Sequence, residues 1–108
     1  MPKRRIYYKH EIPSSVVNIV KCVCADYDRR ARVIGVEGAV LDTYLQLNGI
    51  IDKALEDVEP GIRRMILDDV RLGRGYDFSP ASPFLAKNTY YSKKRKLVYD
   101  IAKGMRLI

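Results

Sequence analysis

Residues 88–103 read NTYYSKKRKLVYDIAK, and the prediction of the fold starts from this stretch. Its apolar residues recur at helical spacing: Tyr90, Leu97, Val98 and Ile101. Side chains three, four or seven residues apart share one face of a helix, so the pattern predicts a helix with one buried face. Asn88 is a favourable N-cap and Gly104 a favourable stop, which sets the predicted ends of this last helix.

The segment before the last helix predicts the other parts of a helix-turn-helix. Glu59-Pro60 opens a helix, because proline fits the first helical position, and Gly73-Arg74-Gly75 ends it. Residues 76–87 contain two Ser-Pro steps and leave room for at most a short helical turn. We therefore predict that residues 59–108 form a helix-turn-helix whose second helix is the basic one.

A basic arm and a first helix are predicted at the start of the chain. Residues 1–13 form the arm, and Pro13 disfavours helix just before it. Ser14 or Ser15 then offers an N-cap for a helix that ends near Gly35. The apolar positions of this helix follow spacings of three and four: Val16, Val20, Val23, Tyr27, Ala31 and Ile34. This spacing predicts one continuous helix with a buried face.

A second helix is predicted over residues 37–58. Its apolar positions are Val40, Tyr44, Leu47, Ile51, Ala54 and Val58. Asn48-Gly49 could be a turn, but the apolar pattern continues across it, which favours one helix with a weak point. The two helices predict an antiparallel hairpin over residues 14–58 that folds as one unit with the helix-turn-helix. The expected fold is therefore all-α, an antiparallel helix pair plus a helix-turn-helix in a single compact domain.

The positive charge is concentrated in the second half of the 108-residue chain. The whole sequence has 20 Lys and Arg against 13 Asp and Glu, a formal charge of +7. Residues 1–58 hold 9 basic and 8 acidic residues, whereas residues 59–108 hold 11 basic and 5 acidic residues. The densest cluster is Lys93-Lys94-Arg95-Lys96. Cations near a helix start are unfavourable unless an anion compensates them, so the cluster indicates a phosphate-bearing partner.

The sequence lacks the patterns of catalytic and metal sites. Cys22 and Cys24 would point about 200° apart on a helix, so they can share neither a disulfide nor a metal, and His10 is the only histidine. Asp68 and Asp69 would also diverge on a helix. We expect no enzyme activity, no cofactor and no metal. We also expect no membrane span, because no apolar run approaches about 20 residues, and a cytoplasmic protein without a secretory signal.

The polar residues of the last helix predict the partner. The expected DNA-binding residues are Asn88, Thr89, Tyr91, Ser92, Lys93, Lys94, Arg95 and Lys96. This set combines hydrogen-bonding side chains, which can contact base edges, with cations, which can contact phosphates. An α-helix fits the major groove of double-stranded DNA, so we predict that helix 88–103 binds there.

Residues 82–104, SPFLAKNTYYSKKRKLVYDIAKG, resemble the C-terminal helix-turn-helix of RinA/ArpU-type phage transcriptional regulators. These proteins are related in shape to region 4 of sigma factors. Residues 26–30, DYDRR, also resemble a motif in the first helix of related phage proteins, less specifically. The main resemblance covers about the last third of the chain. In place of the family's usual first helix, this sequence has two Ser-Pro steps followed by Phe84-Leu85.

The resemblance implies a sequence-specific regulator of transcription in a bacterial or phage-infected cell. By position, it implies that Thr89, Tyr91, Ser92 and Arg95 face DNA. It also implies a set of core residues: Tyr90, Leu97, Val98 and Ile101.

Other functions stay open at the level of sequence. The principal alternative is a non-catalytic interaction module whose amphipathic helices contact RNA polymerase or another protein. RNA binding is a further alternative, although modules for single-stranded RNA more often use a β-sheet with aromatic residues. The apolar stripes favour a shared core over an oligomer seam, and a homodimer stays open.

Overall fold

The computed structural model describes residues 11–37 and 42–108 of the chain. Within these ranges the structure is built from helices and loops, so the predicted all-α class is confirmed. The α-helices are α1 (Ser14–Ala25), α2 (Tyr27–Glu37), α3 (Asp42–Leu55), α4 (Arg63–Leu72) and α5 (Lys87–Gly104). Two short 3₁₀-helices, Pro60–Ile62 and Tyr76–Phe78, stand before α4 and between α4 and α5. None of the described helices has the length and apolar character needed to cross a bilayer.

The predicted first helix is in fact two helices, α1 and α2, that meet at Asp26. The Arg30 side chain explains the break, because its Nη2 donates to the carbonyl oxygen of Val23 at 2.6 Å. The backbone N–H of Asp26 also donates to that carbonyl, over only three residues, at 3.3 Å. Asp26 has φ −96° and ψ 5°, outside regular helix. An apolar pattern indicates which positions are buried. It does not predict that an arginine side chain will donate a hydrogen bond to a backbone carbonyl oxygen of the same predicted helix.

Asn48 lies inside a continuous α3, so Asn48-Gly49 is not a turn. Asn48 is buried, and its Oδ1 accepts a hydrogen bond from Arg30 Nε at 2.7 Å. Its Nδ2 donates to the carbonyl oxygen of Tyr27 at 3.2 Å. Arg30 is only 3% exposed, so this polar contact lies between α2 and α3 and joins them. The favoured prediction of one helix across this dipeptide is therefore confirmed, and the asparagine has a structural partner.

The five α-helices share one core. α1 packs against α4 and α5, while α2 packs against α3, and α3 in turn packs against α5. The most deeply buried side chains come from four of these helices: Val20, Cys24, Ile51, Ile66, Leu67, Asp69, Tyr90, Leu97 and Ile101. The predicted stripe of the last helix is buried as expected, whereas Ala31 of the first predicted stripe is exposed and Val40 of the second lies outside the described residues. Because α1 and α4 are in contact, the two halves of the chain fold against each other.

The predicted N-caps of α1 and α5 are wrong, whereas the predicted end of α4 is correct. α1 is capped by Pro13 and α5 by Ala86, in both cases without a side-chain hydrogen bond, so Ser14, Ser15 and Asn88 do not act as N-caps. The predicted stop of α4 at Gly73 is correct, because this residue has φ 70°, a conformation that favours glycine.

Gly104 is the last residue of α5, as predicted, and its lack of a side chain is also needed for packing. A Cβ atom at this position would lie 2.7 Å from Cγ2 of Ile50, which is closer than van der Waals contact allows. Two residues after the end of the helix, Arg106 adopts the left-handed conformation, with φ 61°. The N–H of Leu107 then donates to the carbonyl oxygen of Ala102 at 2.9 Å, and Leu107 packs against the core.

The two cysteines differ in environment, which gives a testable expectation. Cys22 is exposed and Cys24 is buried. Burial raises the pKa of the Cys24 thiol to about 12, so little reactive thiolate forms there at neutral pH. We expect a thiol reagent to modify one cysteine of the native protein rapidly and both after denaturation, as counted by mass spectrometry. A freshly purified protein that is two hydrogens lighter, or that reacts at both cysteines when native, would contradict this expectation.

Candidate nucleic-acid interface

Tyr90 lies in the first turn of α5 and is fully buried, so it attaches this turn to the core. Its hydroxyl lies 2.8 Å from Oδ2 of Asp69 and 3.2 Å from the carbonyl oxygen of Arg74. Burial, followed by the hydrogen bond to Asp69, raises the pKa of the Tyr90 phenol above its usual range. The phenol therefore stays protonated and donates its hydrogen bond at neutral pH.

The Asp69 carboxylate connects this anchor to the turn after α4. Asp69 is fully buried, and its Oδ1 accepts a hydrogen bond from Arg74 Nε at 2.7 Å. The Arg74 N–H also donates to the Asp69 carbonyl oxygen at 2.9 Å, which the left-handed conformation of Gly73 makes possible. A buried carboxylate needs such partners. The first turn of α5 is thus fixed against the end of α4.

One face of the first turns of α5 is open to solvent. Asn88, Thr89, Tyr91 and Arg95 are exposed, and Ser92 is half-buried. Positions 88, 91, 92 and 95 are separated by three, four and seven residues, so they lie on the same side of the helix. All five residues belong to the predicted DNA-binding set, and Asn88, Tyr91, Ser92 and Arg95 lie on one surface.

Tyr91 has a structural contact as well as an exposed ring. The side chain is 42% exposed, and its hydroxyl accepts a hydrogen bond from the backbone N–H of Tyr76 at 3.1 Å. The hydroxyl of Tyr76 in turn donates to the carbonyl oxygen of Leu85 at 2.6 Å. Tyr91 therefore holds the short helix Tyr76–Phe78 against α5 while remaining partly exposed.

Lys93 and Lys96 lie on the flank of α5 and are paired with carboxylates. Lys93 Nζ lies 3.1 Å from Oε1 of Glu59. Lys96 Nζ lies 2.6 Å from Oδ2 of Asp57 and 2.6 Å from Oδ2 of Asp100. Asp100 is the neighbour of Lys96 one helical turn on, whereas Glu59 and Asp57 reach the cluster only through the fold.

Lys94 lies on the opposite flank and is partly buried. Its Nζ donates to the carbonyl oxygen of Arg74 at 2.6 Å and lies 5.8 Å from the centre of the Tyr90 ring. Burial lowers the pKa of Lys94, the Asp69 carboxylate opposes this change, and nearby Lys21 of α1 adds to it. Lys21 and Lys94 therefore place two neighbouring cations beside the exposed face.

Arg95 is the cation of the cluster that projects from the exposed face. Among the described residues, no carboxylate lies within salt-bridge distance of its guanidinium. It lines a shallow groove of about 290 Å³ between the start of α1 and α5. Apolar side chains form much of this groove, with two cations on the α5 side: Ile12, Val17, Tyr91, Lys94, Arg95 and Val98.

Two acidic partners of the basic cluster, Asp57 and Glu59, could not be predicted from the sequence. Asp57 and Glu59 lie more than thirty residues before Lys93 and Lys96. The dense acidic run Glu56-Asp57-Val58-Glu59 was the available signal, but its position beside α5 depends on the tertiary fold.

The part of the chain that the structure describes contains no group of three or more His, Cys, Asp or Glu side chains that could hold a metal ion. Comparisons of the chain with protein-family models, curated proteins and solved structures find no match. The function proposed below is therefore based on the residues of this chain alone.

Proposed function

We propose that the protein is a sequence-specific double-stranded DNA-binding regulator of transcription, of the phage or prophage type that its last third resembles. The exposed face of α5 carries the proposal. Asn88, Ser92 and Arg95 share that face at helical spacing, and the guanidinium of Arg95, which has no carboxylate partner among the described residues, could bind a base edge. Arginine reads guanine through two hydrogen bonds in the major groove, and asparagine reads adenine in the same way.

The surroundings of α5 support this proposal. A recognition helix needs a rigid support, and the buried contact between Tyr90 and Asp69 supplies one at its first turn. In the proposed arrangement, residues 59–108 act as the helix-turn-helix, with α4 and the short helix Tyr76–Phe78 before the recognition helix α5. α1 and α3 pack against this unit, and Lys21 and Lys94 would contact phosphates. Such a regulator would work in the cytoplasm.

A protein-interaction function is the second candidate because two phenylalanines are unusually exposed. Phe78 is 80% exposed and Phe84 is 66% exposed, and they flank the turn before α5. Exposed aromatic side chains are enriched in protein interfaces. RNA polymerase is one partner that a regulator could contact through them, and this contact is compatible with DNA binding by α5.

Selection of bound sequences from random duplex DNA at near-physiological salt tests the proposed function. We expect one enriched motif, and we expect the affinity for it to fall with salt by roughly 0.9 log units per tenfold salt increase for each phosphate contact. An enriched motif would separate the regulator from a generic polyanion binder. Strong binding at low salt with no enrichment, or no binding at all, would contradict the proposal.

A further inference from the structure

Two carboxylates, those of Asp57 and Glu59, form an acidic edge beside the basic cluster of α5. Both residues lie in the connection between α3 and α4. Glu59 pairs with Lys93 at 3.1 Å, and Asp57 pairs with Lys96 at 2.6 Å. The hydrogen bonds from these lysines hold the pKa of each carboxyl below its usual range, so both groups are ionised at neutral pH. Two of the four cations in the cluster are thereby neutralised.

The connection that carries the acidic edge is fixed in place. Val58, between the two acids, is buried in the core. Arg63 Nε donates to the carbonyl oxygen of Val58 at 2.7 Å, and Arg63 Nη2 donates to that of Glu56 at 3.2 Å. The acidic side chains are therefore presented to α5 by an anchored backbone.

The acidic edge contributes little to folding stability. The side chains of Asp57 and Glu59 are 60% and 63% exposed. Ion pairs between such exposed groups are screened by water and salt and stabilise folded proteins only weakly. Stability alone therefore gives a weak reason for placing two carboxylates against the basic cluster.

We infer that the acidic edge suppresses sequence-independent DNA binding by occupying Lys93 and Lys96. This inference rests on the proposed function. A phosphate can bind either lysine only by displacing a carboxylate, so each pair reduces the gain from counterion release. Arg95, which has no such partner among the described residues, keeps its full capacity to bind a base. Asp57 and Glu59 are thus specificity-determining residues that never need to touch DNA.

Neutralising the acidic edge without changing its shape tests this inference. The double variant Asp57→Asn, Glu59→Gln is expected to bind a scrambled duplex more tightly than the natural protein. Lys93 loses its described carboxylate partner, whereas Lys96 loses Asp57 and keeps Asp100 at 2.6 Å. The dependence of log K on log salt should therefore steepen by roughly 0.9 for one freed phosphate contact, and by at most roughly 1.8. The gain in affinity should therefore be roughly threefold to tenfold larger at 50 mM than at 200 mM salt.

A control with the same change in net charge separates this effect from general electrostatics. Asp42→Asn, Glu56→Gln also removes two exposed carboxylates, and among the described residues neither side chain pairs with a cation. We expect this control to raise the affinity much less and to leave the salt slope close to that of the natural protein. Circular dichroism melts of all variants, with Glu59→Gln alone as a milder version, check that folding is preserved.

Each outcome bears on one of the two proposals. If the natural protein binds its target but the acidic-edge variant behaves like the control, the inference is overturned and the proposed function stands. If only the acidic-edge variant binds duplex DNA, the inference is supported and specific regulation loses support. If no variant binds any duplex, both proposals are overturned.

Discussion

Replacing Tyr90 by alanine is expected to destabilise the protein by about 3–5 kcal/mol, the usual cost of truncating a buried aromatic side chain. The ring is fully buried between α5 and the end of α4, so its removal leaves a cavity. It also removes the hydroxyl partner of the buried Asp69 carboxylate. Since 1 kcal/mol lowers the melting temperature of a domain this small by about 4–8 °C, the melt should shift by more than about 10 °C.

Tyr90→Phe is the matched control for this truncation. It keeps the ring and removes only the hydroxyl, so Asp69 keeps its contact with Arg74 at 2.7 Å. We expect a loss of about 1–3 kcal/mol, in the range for a hydrogen bond to a charged group. Urea denaturation followed by circular dichroism would measure both variants. Equal stabilities for Tyr90→Ala and the natural protein would show that α5 is not anchored through this ring.

The helices could be predicted from the sequence because their signal is local. Tyr90, Leu97 and Ile101 recur at the spacing of one helical face, and all three are buried. The end of α4 was equally local, because a glycine after the last apolar residue favours the left-handed conformation that Gly73 adopts. Such patterns depend on neighbours within two turns of the chain.

The polar contacts between helices could not be predicted in this way. Arg30 and Asn48 lie eighteen residues apart, and in the sequence both look like solvent-facing residues. The break at Asp26 follows from the contact of Arg30 with the Val23 carbonyl oxygen, which exists only in the folded chain. Side-chain partners distant in sequence are set by tertiary packing.

The candidate interface shows the same division. The exposure of Asn88, Thr89 and Arg95 follows from helical periodicity and agrees with the sequence analysis. The pairing of Lys96 with Asp100 also follows from it, but the pairing of Lys93 with Glu59 and of Lys96 with Asp57 does not, because these two carboxylates come from the connection before α4. The cluster that looked uncompensated in the sequence is therefore half neutralised in the fold, and this shifts the expected weight of DNA recognition toward Arg95.

Arg95→Ala is expected to cost about 1–3 kcal/mol of binding free energy on the target duplex, the value for one bidentate contact to guanine. It should relax the sequence preference at a single base position, because the other exposed residues of α5 remain. Folding should be unaffected, since Arg95 is exposed. Arg32→Ala is the matched control, because it removes an exposed arginine from the middle of α2.

The most direct test of DNA recognition by α5 is the affinity of these two variants for the selected duplex and for a scrambled duplex at the same salt concentration. The account predicts that Arg95→Ala loses about tenfold or more on the selected duplex and much less on the scrambled one, a difference of about 1.4 kcal/mol or more. Arg32→Ala should change both affinities slightly and equally. If Arg95→Ala binds both duplexes as the natural protein does, α5 does not read DNA and the central claim is wrong.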